Sequence, residues 1–475
     1  MKTKKREIDL EVKGYKGLEA FHKYWGKKPV ESWNILINEL SKRGDVLLDP
    51  FLGSGLVARE SVDKGRSFIG IDINPISIEL TKFFLNPPKP EKLILEFSKL
   101  EASMKPYLDE TYTWNGDLVT HLLWENEKIT EYWVKNKNKK IVHKADKKFS
   151  LNFNNPKKYK IKNFREPIFF NNARINTKHE MGIHDIFTDR ALEFIDRLLF
   201  EISKIKNPDV KRAMKLLLSS SAGQMSNMVF AVTSRGKTSG RISTRTEVGS
   251  WAIGYWRPET HFEVNPWNCF VNKKDKMLKG LLEAEKNNFL DRGQSTLHLG
   301  DSEKKLKLIE SASVQLILTD PPHGDRIPYL ELSEMWNSLL SYKSDFKNEL
   351  VVSNAKERKL NDATYTSKFN RIIEECLRVL KPEGFLAIMF NSRTEEHWDA
   401  LTSLNSDKDL SLVGCYSMNY SAGSIVQDNR KGGLKNDYVL VFAKKLNSNK
   451  LKTLRNRLRV LPNWSDSLPE VKRAS

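Results

Sequence analysis

The amino-acid sequence predicts an α/β protein whose doubly wound, mostly parallel sheet is interrupted by a large insertion. The first observation is a strand, a glycine-rich turn, a helix and a second strand that follow one another between residues 44 and 74. The second is a series of five strand-like runs after residue 294, the third of them preceded by an amphipathic helix. Residues 91–290 separate these two halves. We therefore predict one sheet that is built from both ends of the chain.

The first half of the sheet follows from apolar periodicity that changes between helix and strand. The predicted elements are a helix at ESWNILINEL, a strand at GDVLLD, a turn at PFLGSG, a helix at LVARESVDKG and a strand at SFIGIDIN. Asp49 leads the turn, in which Gly53 and Gly55 let the backbone approach a ligand at a helix N-terminus. Asp72 ends the second strand, 19 residues after Gly53, where it can accept hydrogen bonds from ribose hydroxyls. This unit predicts a cofactor site.

The second half of the sheet is predicted from alternating strands and helices after the insertion. The strands are expected at STLHLGDS, VQLILTD, GFLAIMFN, SLVGCYSMNY and DYVLVFAKK. The helix KFNRIIEECLRVLKPEG precedes the third strand and is expected to end in Pro382 and Gly384. Ligands of doubly wound sheets bind at the carboxyl ends of the strands, where GDS and TDPPH are placed.

The net charge, the cysteines and the apolar runs of the sequence limit the binding partners, the metal sites and the cellular location that we expect. A formal charge of +19 favours a polyanion such as nucleic acid, although a basic solubilising surface is the alternative explanation. Cys269, Cys376 and Cys415 show no paired spacing, so we expect neither a disulfide framework nor a zinc ribbon, and we predict no metal site. The N-terminal stretch lacks an apolar run and no segment is apolar enough for a membrane span, so a cytoplasmic location is expected.

Three segments carry a resemblance to a known family. DPFLGSG at residues 49–55 and TDPPHGD at residues 319–325 resemble the cofactor and catalytic motifs of the S-adenosylmethionine-dependent amino-methyltransferases of DNA, with the glycine loop preceding the catalytic motif. These enzymes make N6-methyladenine or N4-methylcytosine. FHKYWGKKPVESW at residues 21–33 resembles the segment that closes over the methionine end of the cofactor. The resemblance covers about residues 1–90 and 295–445 and implies a Rossmann-like methyltransferase sheet.

The catalytic residues that the resemblance implies are Asp320, Pro321, Pro322 and His323. The lone pair of an exocyclic amino nitrogen is delocalised into the base, so the nitrogen must be held nearly tetrahedral beside the methyl group. In the family, the aspartate side chain and the first proline carbonyl accept the two amino hydrogens, and the paired prolines stiffen the loop. The next residue is usually an aromatic, most often Tyr, that stacks on a base rotated out of the duplex. An imidazole can stack with less area, and a histidine merely tolerated in the loop is the alternative.

The cofactor implied is S-adenosylmethionine. Besides the glycine turn and Asp72, Asp301 matches the position that contacts the adenine of the cofactor in the family, and capping of the helix SEKKLKLIES explains it equally well. Phe51 is expected to pack against the cofactor. Trp25 and Lys28 are expected at its methionine chain and carboxylate, with an aromatic, basic arm on plain surface as the alternative.

The resemblance divides the chain into four regions. Residues 1–90 are the N-terminal arm and the cofactor-binding half, residues 91–290 the insertion with target recognition on a helical scaffold, residues 291–445 the catalytic half, and residues 446–475 a basic tail that is disordered or lies on DNA. In the insertion, HDIFTDRALEFIDRLLFEISKI and DVKRAMKLLLSSSAGQM are predicted helices of the scaffold, with Thr188 as a cap.

DNA contacts are expected from two basic parts of the insertion. Residues 135–165 hold twelve Lys or Arg and one acidic residue with hairpin-like alternation, and a solvated charge run is the alternative. Residues 233–262 are rich in Gly, Ser, Thr and Arg and predict a mobile loop that orders on DNA. The candidate contacts are Lys139, Lys140, Arg235, Lys237, Arg241 and Arg245.

The function expected from these residues is site-specific methylation of double-stranded DNA, at adenine N6 in preference to cytosine N4, in a restriction-modification or related system with a cognate restriction endonuclease. The adenine preference rests on a motif that opens with Asp rather than with the Ser common in cytosine-N4 enzymes. A cytosine-C5 enzyme is disfavoured because it needs a cysteine after proline, and none of the three cysteines follows Pro. An RNA base-amino methyltransferase and a catalytically weakened DNA-binding module of the same fold are the remaining alternatives.

Overall fold

The computed structural model places most of the chain, and all structural statements below concern the residues that it describes. These are residues 15–27, 30–136, 139–151, 159–232, 237–238, 241–242, 246–286, 291–391, 397–398, 401, 404, 409–419 and 436–458.

Strands and helices follow one another in the order that the sequence predicts at both ends of the chain. The strands are β1 Val46–Asp49, β2 Ser67–Asp72, β3 Thr113–Trp114, β4 Asp117–Glu125, β5 Lys128–Asn136, β6 Lys139–Lys144, β7 Val229–Val232, β8 Lys237–Thr238, β9 Arg241–Ile242, β10 Glu247–Trp251, β11 Thr260–Val264, β12 Ser295–Leu299, β13 Val314–Thr319, β14 Leu380–Phe390, β15 Leu410–Asn419 and β16 Asn436–Lys444. The helices are α1 Val30–Leu40, α2 Leu56–Asp63, α3 Pro75–Leu85, α4 Pro90–Thr111, α5 Asp189–Ser203, α6 Pro208–Met225, α7 Pro266–Glu285, α8 Ser302–Leu306, α9 Tyr329–Leu339, α10 Asp362–Val379 and α11 Ser448–Leu458.

The first sheet joins the two ends of the chain. Its seven strands lie in the order β12-β2-β1-β13-β14-β16-β15. The strands from β12 to β14 pair in parallel, and β16 pairs antiparallel with both β14 and β15. The central pair aligns Leu47 with Leu316 and Leu48 with Ile317. The turn after β1 and the loop after β13 therefore leave the same edge of the sheet side by side, as the predicted Rossmann-like fold requires.

Helices cover both faces of this sheet, which makes it doubly wound. On one face, Leu47, Leu316 and Leu318 share a buried cluster with Trp33 and Leu36 of α1. The other face packs against α8 and α10, because alternate residues of a strand point to opposite sides. Helix α10 ends at Val379, so Pro382 and Gly384 lie within β14 rather than at the helix end, which corrects the predicted boundary.

The insertion contains a second, antiparallel sheet. Its strands lie in the order β10-β7-β11-β4-β5-β6, and β3 pairs with β4. The predicted scaffold helices are confirmed as α5 and α6, and Thr188 caps α5 by accepting from the backbone N–H of Ala191. The prediction of a mobile loop over residues 233–262 is wrong for β10 and the start of β11. These residues are held in the sheet, and Trp251 packs against Gly223 of α6, where a Cβ would lie 2.4 Å from its ring.

The predicted basic tail is also partly ordered, which corrects the expectation for residues 446–475. Helix α11 packs on β15, and the Tyr416 hydroxyl donates to the Leu458 carbonyl at 2.5 Å. Leu446, Leu451 and Leu454 lie against the same buried cluster as α1. Apolar residues at helical spacing therefore outweigh the charge of this segment, whereas residues 459–475 lie outside the described part of the chain.

None of the helices in the described ranges combines the length and apolarity needed to cross a bilayer.

Candidate active site

The turn after β1 is bonded directly to the strand that precedes the TDPPH loop. Asp49, the last residue of β1, accepts at Oδ1 from the backbone N–H of Phe51 at 3.0 Å and from the Thr319 hydroxyl at 2.7 Å. Thr319 is the last residue of β13 and immediately precedes Asp320. The two sequence motifs, 270 residues apart, thus share one carboxylate oxygen.

Both predicted glycines have a backbone that favours glycine. Gly53 has a φ of 56° and Gly55 a φ of 77°, in the left-handed region. A Cβ at Gly55 would lie 2.1 Å from Thr81 Oγ1 of helix α3, so the close packing of α3 leaves no room for a side chain at this position. Helix α2 begins at the next residue, Leu56, and its N-terminus points into the turn.

Asp72 fixes the shape of the same turn. Its Oδ2 accepts from the Gly53 backbone N–H at 2.7 Å and from the Ser77 hydroxyl at 2.9 Å, and its Oδ1 accepts from the Asn74 backbone N–H at 2.8 Å. A carboxylate offers about four acceptor positions, so these three bonds leave about one for a ligand. The ribose contact predicted for Asp72 is compatible with this arrangement and stays a prediction.

The TDPPH loop lines the opposite wall. Asp320 is about one-fifth exposed, and its Oδ1 lies 3.1 Å from Nε2 of His323. Pro321 is buried, whereas Pro322 lines the cleft and its carbonyl accepts from the Tyr365 hydroxyl at 2.5 Å. The His323 ring is only 8% exposed and stands edge-on to Phe390, with centroids 5.2 Å apart. The stacking on a target base predicted for His323 stays a prediction, and in this structure the ring packs into the protein.

One cleft of about 950 Å³, counted with its open mouth, brings these groups together. This volume is in the range of small-molecule sites. Of the predicted residues with described side chains, the cleft is lined by Trp25, Asp49, Phe51, Gly53, Asp72, Asp301, Asp320 and Pro322. The remaining predicted residues Gly55, Pro321 and His323 each adjoin a lining residue in the sequence. Lys28 lies outside the described residues.

The cleft carries an excess of negative charge. Its described lining includes five carboxylates and two lysines, namely Asp49, Asp72, Asp301, Asp320, Glu349, Lys27 and Lys368. Asp301 pairs with Lys368 at 3.0 Å, and Glu349 pairs at 2.7 Å with the buried Arg358. Asp49 and Asp72 instead accept from neutral donors. Such a site attracts a cation and repels a polyphosphate.

Burial raises the pKa of Asp49 and Asp72, the two carboxyls whose hydrogen-bond donors are uncharged. It raises the pKa of Asp49 from 3.8 to about 7, and the bonds from Thr319 and Phe51 offset only part of this effect. It raises the pKa of Asp72 to about 6 against the bonds from Asn74 and Gly53. A cation bound beside them would favour the charged forms of both.

The N-terminal segment closes one side of the cleft. Trp25 stacks on Trp336 of α9, with centroids 4.8 Å apart and planes 9° apart, and its indole N–H donates to Ser333 at 2.9 Å. Lys27 was not among the predicted residues, yet it lines the cleft and donates to the backbone carbonyls of Glu19 and His22. Burial lowers the pKa of the Lys27 ammonium to about 8. Its position next to the predicted Lys28 was the sequence signal for it.

Comparison with known proteins identifies the family of the segment that forms the glycine turn. Residues 2–83 match a family named N6_N4_Mtase and described as DNA methylase. This segment belongs to the amino-methyltransferases. The match contains α1, β1, the glycine turn and β2, and it ends before the TDPPH loop. The assignment of that loop to the same site therefore depends on the geometry described above.

Solved structures show weaker similarity to this chain. A protein described as a SAM-dependent methyltransferase from Streptococcus mutans is 10% identical, with a TM-score of 0.20, over 38% of this chain and 42% of its own. PH0851 is 13% identical, with a TM-score of 0.19, over 38% of this chain and 40% of its own. The chain thus spans less than half the length of either, and the fold rests on the strand order alone. A search of curated proteins finds no match.

Asp301 performs the capping role that the sequence left open. Its Oδ1 accepts from the backbone N–H of Glu303 at 3.2 Å, at the start of α8, and also pairs with Lys368. Asp301 also lines the cleft, so the cap and the predicted adenine contact are compatible.

Sequence reasoning missed several residues of the cleft. Tyr24, Asn74, Thr319, Tyr329, Glu349 and Lys368 line it, and Tyr365 holds the Pro322 carbonyl. Thr319 and Asn74 adjoin predicted motif residues, so proximity in the chain was a usable signal. The residues after Tyr329 reach the site only through the packing of α9 and α10, which no short motif specifies.

The residues predicted to contact DNA are only partly described. Lys139 and Lys140 lie exposed on β6 of the second sheet, and the Lys140 ammonium is 3.6 Å from the centroid of the Trp133 ring. Lys237 and Arg241 contribute backbone to β8 and β9, but their side chains, like all of Arg235 and Arg245, lie outside the described residues.

Across the described ranges, no group of three or more His, Cys, Asp or Glu side chains is placed to hold a metal ion.

Proposed function

We propose that this amino-methyltransferase transfers a methyl group from S-adenosylmethionine to the exocyclic amino group of a base in double-stranded DNA, with adenine N6 as the preferred atom. The observation that carries the proposal is the 2.7 Å bond between Thr319 and Asp49. It holds the glycine turn and the Asp-Pro-Pro loop at one cleft, so a cofactor and a base amino group can be bound within reach of each other.

The charge of the cleft supports this cofactor. S-adenosylmethionine supplies an activated methyl group on a positively charged sulfonium. When ionised, Asp49 and Asp72 provide negative charge that their neutral hydrogen-bond donors do not compensate, and the turn at Gly53 admits a ligand close to the backbone. Lys27 is placed to meet the carboxylate end of the same ligand. A nucleoside triphosphate would instead bring several negative charges against these carboxylates.

Asp320 is the proposed acceptor for the base amino group. Its side chain lines the cleft just after the carboxyl end of β13, and the carbonyl of the adjacent Pro321, in the same stiff loop, is the proposed second acceptor. Two acceptors at these positions can hold both amino hydrogens and turn the nitrogen lone pair towards the methyl group. The proton released from the amino group can leave after transfer.

A base reaches such a cleft only when it leaves the helical stack, so base flipping is part of the proposal. The +19 charge of the chain and the exposed lysines of β6 support a DNA substrate. Adenine is favoured over cytosine because the catalytic motif opens with Asp. We extend the proposal to a restriction-modification or related system in the cytoplasm of a bacterial or archaeal cell, with a cognate endonuclease as partner.

Incubation with methyl-tritiated S-adenosylmethionine and either duplex DNA or transfer RNA tests the proposal. The nucleic acid is digested and the labelled nucleoside is identified, with Asp320→Ala as the matched control. We expect labelled N6-methyladenine from DNA and none from the variant. Labelled N4-methylcytosine would correct the base, and label in RNA alone would overturn the substrate. Cofactor binding without transfer to any substrate would favour a DNA-binding module of the same fold.

A further inference from the structure

His323 connects Asp320 to a third residue of the same loop. Nε2 of His323 lies 3.1 Å from Oδ1 of Asp320, and Nδ1 lies 3.0 Å from Nη1 of Arg326. The three side chains thus form a continuous series, Arg326 to His323 to Asp320, that ends in the cleft. The resemblance to the methyltransferase family does not account for it, because that family usually has an aromatic residue where His323 stands.

The contact with Arg326 determines which ring nitrogen carries the proton. A guanidinium only donates hydrogen bonds, so Nδ1 of His323 must be the acceptor. The proton of the imidazole then lies on Nε2, which faces Oδ1 of Asp320 and, at 3.4 Å, the carbonyl of Met389. Both neighbours of Nε2 are acceptors, which agrees with this tautomer.

The surrounding structure keeps the ring in this orientation. His323 is buried edge-on against Phe390 of β14, and its carbonyl accepts from the Arg326 backbone N–H at 3.2 Å in a tight turn. Arg174, from the insertion, donates to the backbone carbonyls of Asp325 and Arg326. The loop is therefore held from two sides, and rotation of the ring would break the bonds at both nitrogens.

We propose that Arg326 is a positioning residue that acts through His323 on Asp320. Arg326 fixes the tautomer that donates to Oδ1 of Asp320, which orients the carboxylate and directs Oδ2 to the base amino group. This inference rests on the proposed function, because it assigns a role in amino methylation. It also assigns His323 to orientation of the acceptor, where the sequence predicted stacking on the base.

The first test reads the tautomer without any reaction. Protein labelled with 15N-histidine is compared with the His323→Gln variant, so that the resonances of His323 are identified among those of the nine histidines. We expect the wild-type Nε2 to bear the proton and Nδ1 to be bare, and this preference to weaken in Arg326→Met, whose side chain has no donor for Nδ1. A proton on Nδ1 of the wild-type ring would overturn the inference.

The second test measures single-turnover methyl transfer at saturating cofactor and DNA. We expect Arg326→Met, which has no donor for Nδ1, to slow transfer by about 10- to 100-fold, because a misplaced acceptor weakens the near-attack geometry, and to leave the Kd for S-adenosylmethionine within about twofold. Arg326→Lys, which still donates to Nδ1, should recover most of the rate. Arg197→Met, which removes an exposed guanidinium from an ion pair with Glu193 on α5, is the matched control and should transfer at the wild-type rate.

A double-mutant cycle of Arg326 and His323 distinguishes a positioning role of Arg326 from a general effect on protein stability. Glutamine at position 323 can place its amide N–H near the Nε2 position and needs no tautomer, so Arg326→Met should cost little further rate in the His323→Gln background. Equal losses in both backgrounds, or a wild-type rate in Arg326→Met, would overturn this inference alone. Absence of transfer by the wild-type protein would overturn the proposed function and the positioning role together. Thermal unfolding of each variant confirms that the compared proteins are folded.

Discussion

Replacement of Asp49 by asparagine should stabilise the free protein at alkaline pH. The carboxyl is buried at the end of β1, and burial raises its pKa from 3.8 to about 7. An acid with a higher pKa in the folded state than in the unfolded state binds its proton more tightly when folded. Its contribution to stability is complete below pH 3.8 and is lost as the pH rises through about 7. The difference between these pKa values corresponds to about 4 kcal/mol.

Asparagine cannot ionise, yet it keeps an Oδ1 that can accept from both Phe51 and Thr319. We therefore expect the free energy of unfolding of Asp49→Asn to exceed that of the wild-type protein by up to about 4 kcal/mol at pH 8 and by about 1 to 2 kcal/mol at pH 5. Chemical denaturation at the two pH values measures both differences, and Asp117→Asn, which changes an exposed carboxyl of β4, is the control. A variant that is less stable than wild type at pH 8, or a difference that is the same at both pH values, would show that the Asp49 carboxyl does not have the raised pKa.

Four further outcomes follow from the cleft and the insertion. Wild-type affinity for S-adenosylmethionine should fall as the pH is lowered from 8 through about 7 and 6, because the two carboxyls with raised pKa values become neutral, and isothermal titration calorimetry would measure this fall. Asp320→Ala should abolish methyl transfer and leave that affinity largely intact, and loss of cofactor binding would contradict the assigned role. Gly55→Ala should destabilise the protein by about 2 kcal/mol more than Gly44→Ala in thermal unfolding, because both glycines have positive φ but a Cβ at Gly44 has nothing within 4 Å. Replacement of Lys139 and Lys140 by Ala should lower the slope of log affinity for DNA against log salt by about 2, and an unchanged slope would remove β6 from the DNA interface.

The sequence predicted the fold because its strands are short, apolar and separated by turn residues at both ends of the chain. It also indicated that Gly53 and Asp320 would lie at one edge of one sheet, since both follow strands of that sheet at their carboxyl ends. The pairing of β1 with β13 makes them neighbours, and it depends on packing across an insertion of about 200 residues, which local periodicity does not encode.

The parts of the site that were missed depend on contacts between distant segments. His323 packs edge-on against Phe390 of β14, a contact that the loop sequence does not specify, and stacking of its ring on a base stays a prediction. Lys368 reaches Asp301 from helix α10, and Arg358 reaches Glu349 within a buried network, at separations that no motif specifies. The basic tail was misread at Ser448–Leu458 because its charge was weighed above its apolar spacing.

The turn of residues 49–55 and the loop of residues 319–323 must form one site if methyl transfer takes place in the cleft. A crystal structure with S-adenosylhomocysteine would locate the bound cofactor product. We expect the ligand to lie in the cleft with its sulfur between the Gly53 turn and Asp320. A ligand bound elsewhere, or bound with Asp320 remote from the sulfur and screened from it by other residues, would rule out a single site.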